Sequence, residues 1–408
     1  MEIIDRAIAD LNPIFTQIDL QIKHNLRKVL QVFRDHKVGT HHFSSVSGYG
    51  HHDLGREVID AVFAQVLGAE SAAIRVQFVS GTHAIACCLF GILRPGDELL
   101  SLVGAPYDTL EEVIGQHGSG QGSLREFGIS YRQVDLTESG EVDWDAVAIA
   151  VKPETKMVLI QRSCGYAWRS SLSIPEIERI IKLVKQQNPN VVCFVDNCYG
   201  EFVADFEPTQ VGADLIAGSL IKNLGGTIAT AGGYIAGRHE YVEAASCRLT
   251  APGIGTSGGA TLDQNRLFLQ GLFLAPQMVG EAIKSSHLAS YIFDALGYKV
   301  NPSPFTPRRD VIQAIQLGSA EKIIQVCRAI QRYSPIDSYV DPVPGNMPGY
   351  VSELVMAGGT FIDGSTSELS ADAPLREPYT IFIQGGTHWT HLAIALEEVI
   401  ANLGYGNS

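Results

Sequence analysis

Ala213-Asp-Leu-Ile-Ala-Gly-Ser-Leu-Ile-Lys-Asn-Leu-Gly-Gly226 decides how the rest of the chain is read. An apolar run leads into Lys222, and a glycine pair lets the backbone turn away directly behind it. A lysine placed this way projects from a sheet edge into a partly desolvated site. Desolvation lowers an amine's pKa and makes it a usable nucleophile towards a carbonyl. Most lysines are solvated surface charges, so the reading depends on whether the chain supplies partners for such an amine.

Composition bounds the answer. The 408 residues are 45% hydrophobic and 18% charged, enough for more than one core. A formal charge of −14 argues against nucleic acid or an anionic membrane as the main partner. The 41 glycines are dispersed and fit an α/β enzyme with many tight turns. Seven cysteines without a CxxC pair read as buried thiols of a reducing compartment. Met1-Glu-Ile-Ile-Asp-Arg6 lacks the pattern of a signal peptide, and the longest apolar runs, such as Ala84–Leu93, are half of what a bilayer requires. The expectation is a soluble, cytoplasmic protein.

Residues 1–37 read as helix, with Ile3, Ile4, Ala7 and Ile8 marking one apolar face and Ile18, Ile22, Leu26, Val29, Leu30 and Phe33 another, separated by Pro13. Val38–Arg56 is polar, glycine-rich and aromatic, a loop of the kind that carries function. His41, His42, His51 and His52 lack the i, i+4 spacing that presents two ligands on one helix face, so no metal is expected. From 57 to about 250, strands alternate with helices. The expected strands are Ala73–Val79, Glu98–Leu102, Gly128–Val134, Met157–Gln161, Val191–Val195, Leu215–Gly218 and Gly232–Ala236, and the clearest helix is Ile174–Gln187. This alternation means a mostly parallel seven-stranded sheet covered on both faces. A helical stretch over 261–295 and the proline-rich Asn301–Pro307 then lead to a smaller α/β lobe, with strands near Val351–Ala357 and Thr380–Ile383 and a last helix from Trp389. The expected organisation is an arm and loop over 1–56, a large domain over 57–295 and a small C-terminal α/β domain over 296–408.

Four strand ends supply what Lys222 would need if its carbonyl were that of pyridoxal phosphate. The phosphate wants backbone N–H groups at a helix N-terminus, and Ser80-Gly81-Thr82 closes a strand and opens a helix. Ser219 adds a hydroxyl from the strand that delivers the amine. The ring nitrogen wants a carboxylate, and Asp196 ends a strongly apolar strand, where an unpaired charge is costly. The ring face wants an aromatic, and Tyr107 follows the strand at 98–102. Each part alone has an ordinary reading as cap, turn or packing residue; their coincidence at successive strand ends is much more specific.

Here the chain resembles the fold-type-I pyridoxal-phosphate enzymes of cysteine and methionine metabolism, the cystathionine lyase and methionine γ-lyase relatives. It is most similar to the bacterial branch called aluminium resistance protein. The resemblance is carried by Tyr49-Gly-His-His-Asp-Leu-Gly-Arg56, Phe78-Val-Ser-Gly-Thr-His-Ala84, Pro95-Gly-Asp-Glu98, Val195-Asp-Asn-Cys-Tyr-Gly-Glu201, Gly218-Ser-Leu-Ile-Lys-Asn223 and Gln384-Gly-Gly386, spread over nearly the whole chain. It implies a PLP-dependent transferase-like fold and carbon–sulfur lyase activity on a sulfur amino acid of the cystathionine, cysteine or methionine type. It further implies a homodimer or homotetramer with shared active sites. The same fold also hosts γ-replacement, aldolase and desulfurase chemistry. By resemblance, Lys222 is the cofactor-bonding lysine and proton shuttle, Asp196 the ring-nitrogen partner and Tyr107 the stacking ring, with Gly81, Thr82 and Ser219 on the phosphate. Tyr49 and Arg56 are the nearest equivalents of a tyrosine–arginine pair that reaches a neighbouring subunit's phosphate, although here they stand seven residues apart rather than two. For the substrate carboxylate, the resemblance implies a C-terminal arginine. Arg376 is the choice, with Arg308 and Arg309 as rivals.

Overall fold

The computed structural model describes residues 2–405. Helix α1 (Glu2–Asp35) runs without a break through Pro13. The two apolar faces read from the sequence are one stripe, because Leu11 and Phe15 join Ile4 and Ala7 to Ile18, Val29 and Val32 at helical spacing. That stripe packs along a long helix near the middle of the chain, α8 below, and this tertiary contact offsets the hydrogen bond that proline removes. Asn25, buried on the same helix, donates to the Phe202 carbonyl at 3.0 Å and so ties the arm to a loop of the large sheet.

After α2 (Leu54–Val66), the large unit follows as β1 (Ser71–Arg75), α3 (Gly81–Ile92), β2 (Glu98–Ser101), α4 (Asp108–Ile114), β3 (Ser130–Gln133), α5 (Trp144–Val147), β4 (Thr155–Gln161), α6 (Ile174–Gln187), β5 (Val192–Asp196), β6 (Leu215–Ser219), β7 (Gly233–Gly237) and α7 (His239–Leu249). The seven strands lie in the order β1-β7-β6-β5-β4-β2-β3, with β7 antiparallel to both of its neighbours and the others parallel. Parallel strands buried on both faces read as near-continuous apolar runs, and β5 and β6 are buried at every position. The first strand lies earlier than expected, at 71–75 instead of 73–79. Its ladder with β7 stops at Arg75↔Gly233, and residues 76–79 lead from there to Ser80, whose side chain caps α3 by accepting from the His83 N–H. The topology brings the C-terminal ends of β2, β4, β5 and β6 to one edge of the sheet.

The long helix is α8 (Asn265–Ala295), which spans the join to a second sheet. There β8 (Lys299–Asn301), β9 (Gln313–Gln316), α9 (Ala320–Arg332), β10 (Leu354–Ala357), β11 (Ser370–Pro374) and β12 (Thr380–Gln384) form an antiparallel sheet ordered β10-β11-β12-β9-β8, closed by α10 (Trp389–Asn402). The sequence pattern displayed only β10 and β12. The other three, Lys-Val-Asn, Gln-Ala-Ile-Gln and Ser-Ala-Asp-Ala-Pro, are rich in polar or small residues, so no continuous apolar run marks them. No helix among the described residues is long and apolar enough to cross a membrane.

Candidate active site

Lys222 stands three residues beyond the end of β6 and enters a short 3-10 turn, Asn223–Gly225. The turn is tight enough that a Cβ on Gly225 would stand 1.6 Å from the Leu220 carbonyl oxygen. Gly225→Ala is therefore expected to lower stability by about 3 kcal/mol, read from urea unfolding, because the added methyl would press on the Leu220 backbone on one side and the Ala229 side chain on the other.

The lysine opens into a cleft of about 190 Å³, and the six residues placed around it from sequence — Gly81, Thr82, Tyr107, Asp196, Ser219 and Lys222 — all line it. Gly81 is the first residue of α3, and a side chain there would meet Ser219 Cβ at 3.2 Å and Cys198 Sγ at 3.4 Å. Glycine thus leaves the helix N-terminus open to an anion, where unpaired N–H groups and the helix dipole both favour negative charge. The Thr82 hydroxyl lies 3.0 Å from the Tyr107 hydroxyl, and the Tyr107 N–H donates to Gln161 Oε1 at 2.8 Å. Both ends of the tyrosine are thereby held.

Asp196, 3% exposed, accepts from the Cys198 N–H at 3.1 Å. Burial raises its pKa, with the Cys198 hydrogen bonds and Lys222 opposing. No lysine or arginine among the described residues forms an ion pair with it. Among the described residues Lys222 is the one cation of the lining. Burial pulls its pKa down, but Tyr199, Cys198 and Asp196 together hold the ammonium above its ordinary value. Its Nζ stands 3.7 Å from the centre of the Tyr199 ring. Tyr199 and Phe202 both adopt positive φ, 69° and 61°. A bulky residue rarely does so, and such strain is typically held at functional sites.

Beneath β6 lies a buried polar network. Arg162 donates to Asn197 Oδ1 at 2.8 Å, and Asn197 donates to Glu207 at 3.0 Å. The Tyr234 hydroxyl donates to Glu201 Oε1 at 2.7 Å, whereas Glu201 Oε2 has no partner. Gly218 makes room for this, since a Cβ would meet Tyr234 Cε1 at 2.6 Å and Glu201 Oε1 at 2.8 Å. Burial pushes Glu201 up to about 8 from 4.5, with the Tyr234 hydrogen bond opposing. Between those values the folded state keeps a proton that the unfolded chain has lost. Glu201 therefore contributes stability that is full below about pH 4.5 and lost as pH rises through about 8, at up to about 1.4 kcal/mol per pH unit. Glu201→Gln is expected to flatten the unfolding free energy across that window, and an unchanged slope in urea titrations at pH 5 to 9 would contradict it.

The remaining sequence candidates are not all brought to the cleft. Arg56 is buried and gives its guanidinium to the carbonyls of Gly50, Gly259 and Ser257 at 2.6, 2.9 and 3.1 Å. It clamps two glycine-rich loops of its own chain. Tyr49 is 82% exposed. Arg308 is buried on the Ser303 and Ser286 carbonyls, with its pKa pushed down to about 9 by burial, and Arg309 pairs with Glu176 at 3.0 Å. Arg376 reaches only the rim, 3.5 Å from Asp108, which lines the cleft. A larger open groove of about 490 Å³ around His51, His52, Arg56 and Asp60 shares no lining residue with it.

Sequence reasoning missed Gln161, Tyr166, Cys198, Tyr199 and Tyr350, which also line the cleft. Gln161 ends β4, and Tyr166, Cys198 and Tyr199 follow β4 or β5, so the strand-end rule that found Asp196 could have found them. Tyr350 sits in a long irregular segment and had no such signal.

The whole of the chain to residue 404 matches the family model described as methionine γ-lyase. The uncharacterized protein YnbB of Bacillus subtilis is 48% identical over 396 residues, 97% of this chain and 94% of that protein. This chain belongs to the methionine γ-lyase family. A solved structure of a carbon–sulfur lyase involved in aluminium resistance from Clostridium novyi is 45% identical with a TM-score of 0.94, over 98% of this chain and 95% of that one. A candidate cystathionine β-lyase involved in aluminium resistance from Listeria monocytogenes is likewise 45% identical, with a TM-score of 0.95 over 98% and 99%. The architecture is therefore fold type I, and the cofactor of the family is pyridoxal phosphate. The residues present fit that group: a buried carboxylate without an ion-pair partner, an aromatic face, an open helix N-terminus and one amine meet in a single cleft.

Proposed function

We propose that this enzyme cleaves the carbon–sulfur bond of a sulfur amino acid by α-proton removal followed by β- or γ-elimination. The observation that carries this reading is that Lys222 is, among the described residues, the only cation lining a cleft that Asp196, Tyr107 and the start of α3 also line. Bound pyridoxal phosphate supplies a carbonyl that condenses with amines and a protonated ring that accepts an electron pair. Asp196 would hold the proton on the ring nitrogen, which its burial without a cationic partner favours. Tyr107 would supply the aromatic face, while Gly81, Thr82 and Ser219 would hold the phosphate. Lys222 would hold the carbonyl end and, with its amine free, would serve as the base that takes the substrate's α-proton and returns it to another carbon. Tyr166, Tyr199 and Tyr350 wall the cleft and limit the entry of water.

Arg376, half exposed at the rim, is the arginine proposed to bind the substrate carboxylate, which requires it to leave Asp108. Among the described residues no arginine or second lysine lines the cleft, and Tyr49 is exposed, which supports a homo-oligomer with shared sites. The test is release of thiol and 2-oxo acid from cystathionine, cysteine and methionine by the cofactor-loaded enzyme. Intact cofactor absorbance without thiol release from any of them overturns the lyase reading in favour of another fold-type-I reaction.

A further inference from the structure

The turn that follows Asp196 carries two residues in the left-handed region, Tyr199 at φ 69° and Phe202 at φ 61°. Neither side chain favours that conformation, so the surroundings must impose it. Both backbone polar groups of Phe202 are captured. Its N–H donates to Glu207 Oε1 at 2.9 Å, and its carbonyl accepts from Asn25 Nδ2 of α1 at 3.0 Å. Gln21, one turn earlier on α1, donates to the next carbonyl, that of Val203. Asn25 is 1% exposed, level with the apolar stripe of α1, and its own Oδ1 is buried without a hydrogen bond. The helix itself gains little from a buried amide with an orphaned acceptor, since an apolar residue would fill the stripe. What the amide does hold is the Phe202 carbonyl.

At the other end of the same turn, Lys222 Nζ lies over the Tyr199 ring, 3.7 Å from its centre, and both residues line the cleft. A ring face at that distance attracts an ammonium and not a neutral amine, so the place of the ring bears on how readily Lys222 gives up its proton. We propose that Tyr199 is a positioning residue for the Lys222 amine, and that α1, through Asn25, holds the turn that presents it. The catalytic consequence rests on the reading of Lys222 as the base, whereas the contact and its test need neither cofactor nor substrate. The other ionisable groups that act on Lys222 are Asp196 and Cys198 at the end of β5, Asp372 of β11, and Tyr350. Among the described residues none of these four makes a hydrogen bond to α1, so an effect of Asn25 on the amine is assigned to Tyr199.

The test is competitive acetylation of the full chain without cofactor at pH 7 to 9. The reactivity of Lys222 is measured by mass spectrometry against that of the exposed Lys156. Only a neutral amine is acetylated. Tyr199→Leu is expected to raise the ratio about 3- to 30-fold, and Tyr199→Phe, which keeps the ring face, to leave it within about twofold of the wild type. Asn25→Leu should raise the ratio by at least about threefold and add nothing in the Tyr199→Leu background. Val29→Ala opens a cavity in the same buried stripe without touching the turn, and should leave the ratio unchanged. Gln21→Leu takes the place of Asn25→Leu if the latter does not fold. A ratio unmoved by Tyr199→Leu or by Asn25→Leu overturns the proposal, as does a Tyr199→Phe effect as large as that of Tyr199→Leu. So does an Asn25→Leu effect that persists without the Tyr199 ring or that Val29→Ala reproduces. Failure here is distinct from failure of the lyase reading, which thiol release decides.

Discussion

Lys222→Ala is expected to lower kcat by at least about 10³-fold, since the substitution removes both the covalent anchor and the base, and a positioned proton-transfer group alone contributes roughly 10²–10⁴. The variant should still fold, because Lys222 opens into the cleft and its amine makes no ion pair within the structure. Borohydride treatment of the wild type should fix the cofactor onto the peptide containing Lys222, and the same treatment of the variant should leave that peptide unmodified. Turnover that survives the substitution would end the assignment. Lys222→Arg is a useful companion. It keeps the positive charge beside Tyr199 and Asp196 but offers no group that loses a proton readily, so it should separate cofactor retention from turnover.

The second large effect is expected from Asp196→Asn. The amide keeps the shape and can still accept from the Cys198 N–H, but it cannot hold a proton on a ring nitrogen by charge. kcat should fall roughly 10²- to 10³-fold, the usual consequence of removing one preorganised electrostatic partner. Stability should move the other way in the two forms of the protein. Without cofactor, Asp196 is a buried carboxylate whose pKa is raised by desolvation, so a neutral isostere is expected to leave the melting temperature unchanged or higher. With cofactor, the stabilisation that binding confers should shrink, because it scales with affinity. A melting temperature that falls equally in both forms would mean that Asp196 is structural.

The comparison of sequence with structure can be followed at single residues. Lys222, Asp196 and Tyr107 were legible because each stands at or just after a strand end, and in an open parallel sheet those ends share one edge. Gly81 was legible because a glycine between a strand and a helix marks a close approach. Arg56 was read as a ligand of a neighbouring subunit's phosphate, and within its own chain its guanidinium meets the carbonyls of Gly50, Gly259 and Ser257; a charged residue in a motif does not say which way its side chain turns. Arg308 was weighed for the same role and is buried away from the cleft.

Asp372 shows the opposite case. Nothing around Ser370-Ala-Asp-Ala-Pro374 suggests a site, yet pairing of β11 with β12 sets its side chain among Tyr166, Gln384 and Lys222, over a hundred residues away in the chain for two of these partners.

By itself the sequence determined the fold class and the cofactor, and it singled out Lys222 as the lysine proposed to anchor it. Periodicity, strand-end placement and backbone permissiveness are local properties, and the match to the family spans the chain. Only the tertiary structure decided which further groups gather near the cleft. Residues of the second sheet meet loops of the first through contacts distant in sequence, as Asp372 does with Tyr166, and a buried carboxylate acquires its meaning from which groups are, and are not, there to neutralise it.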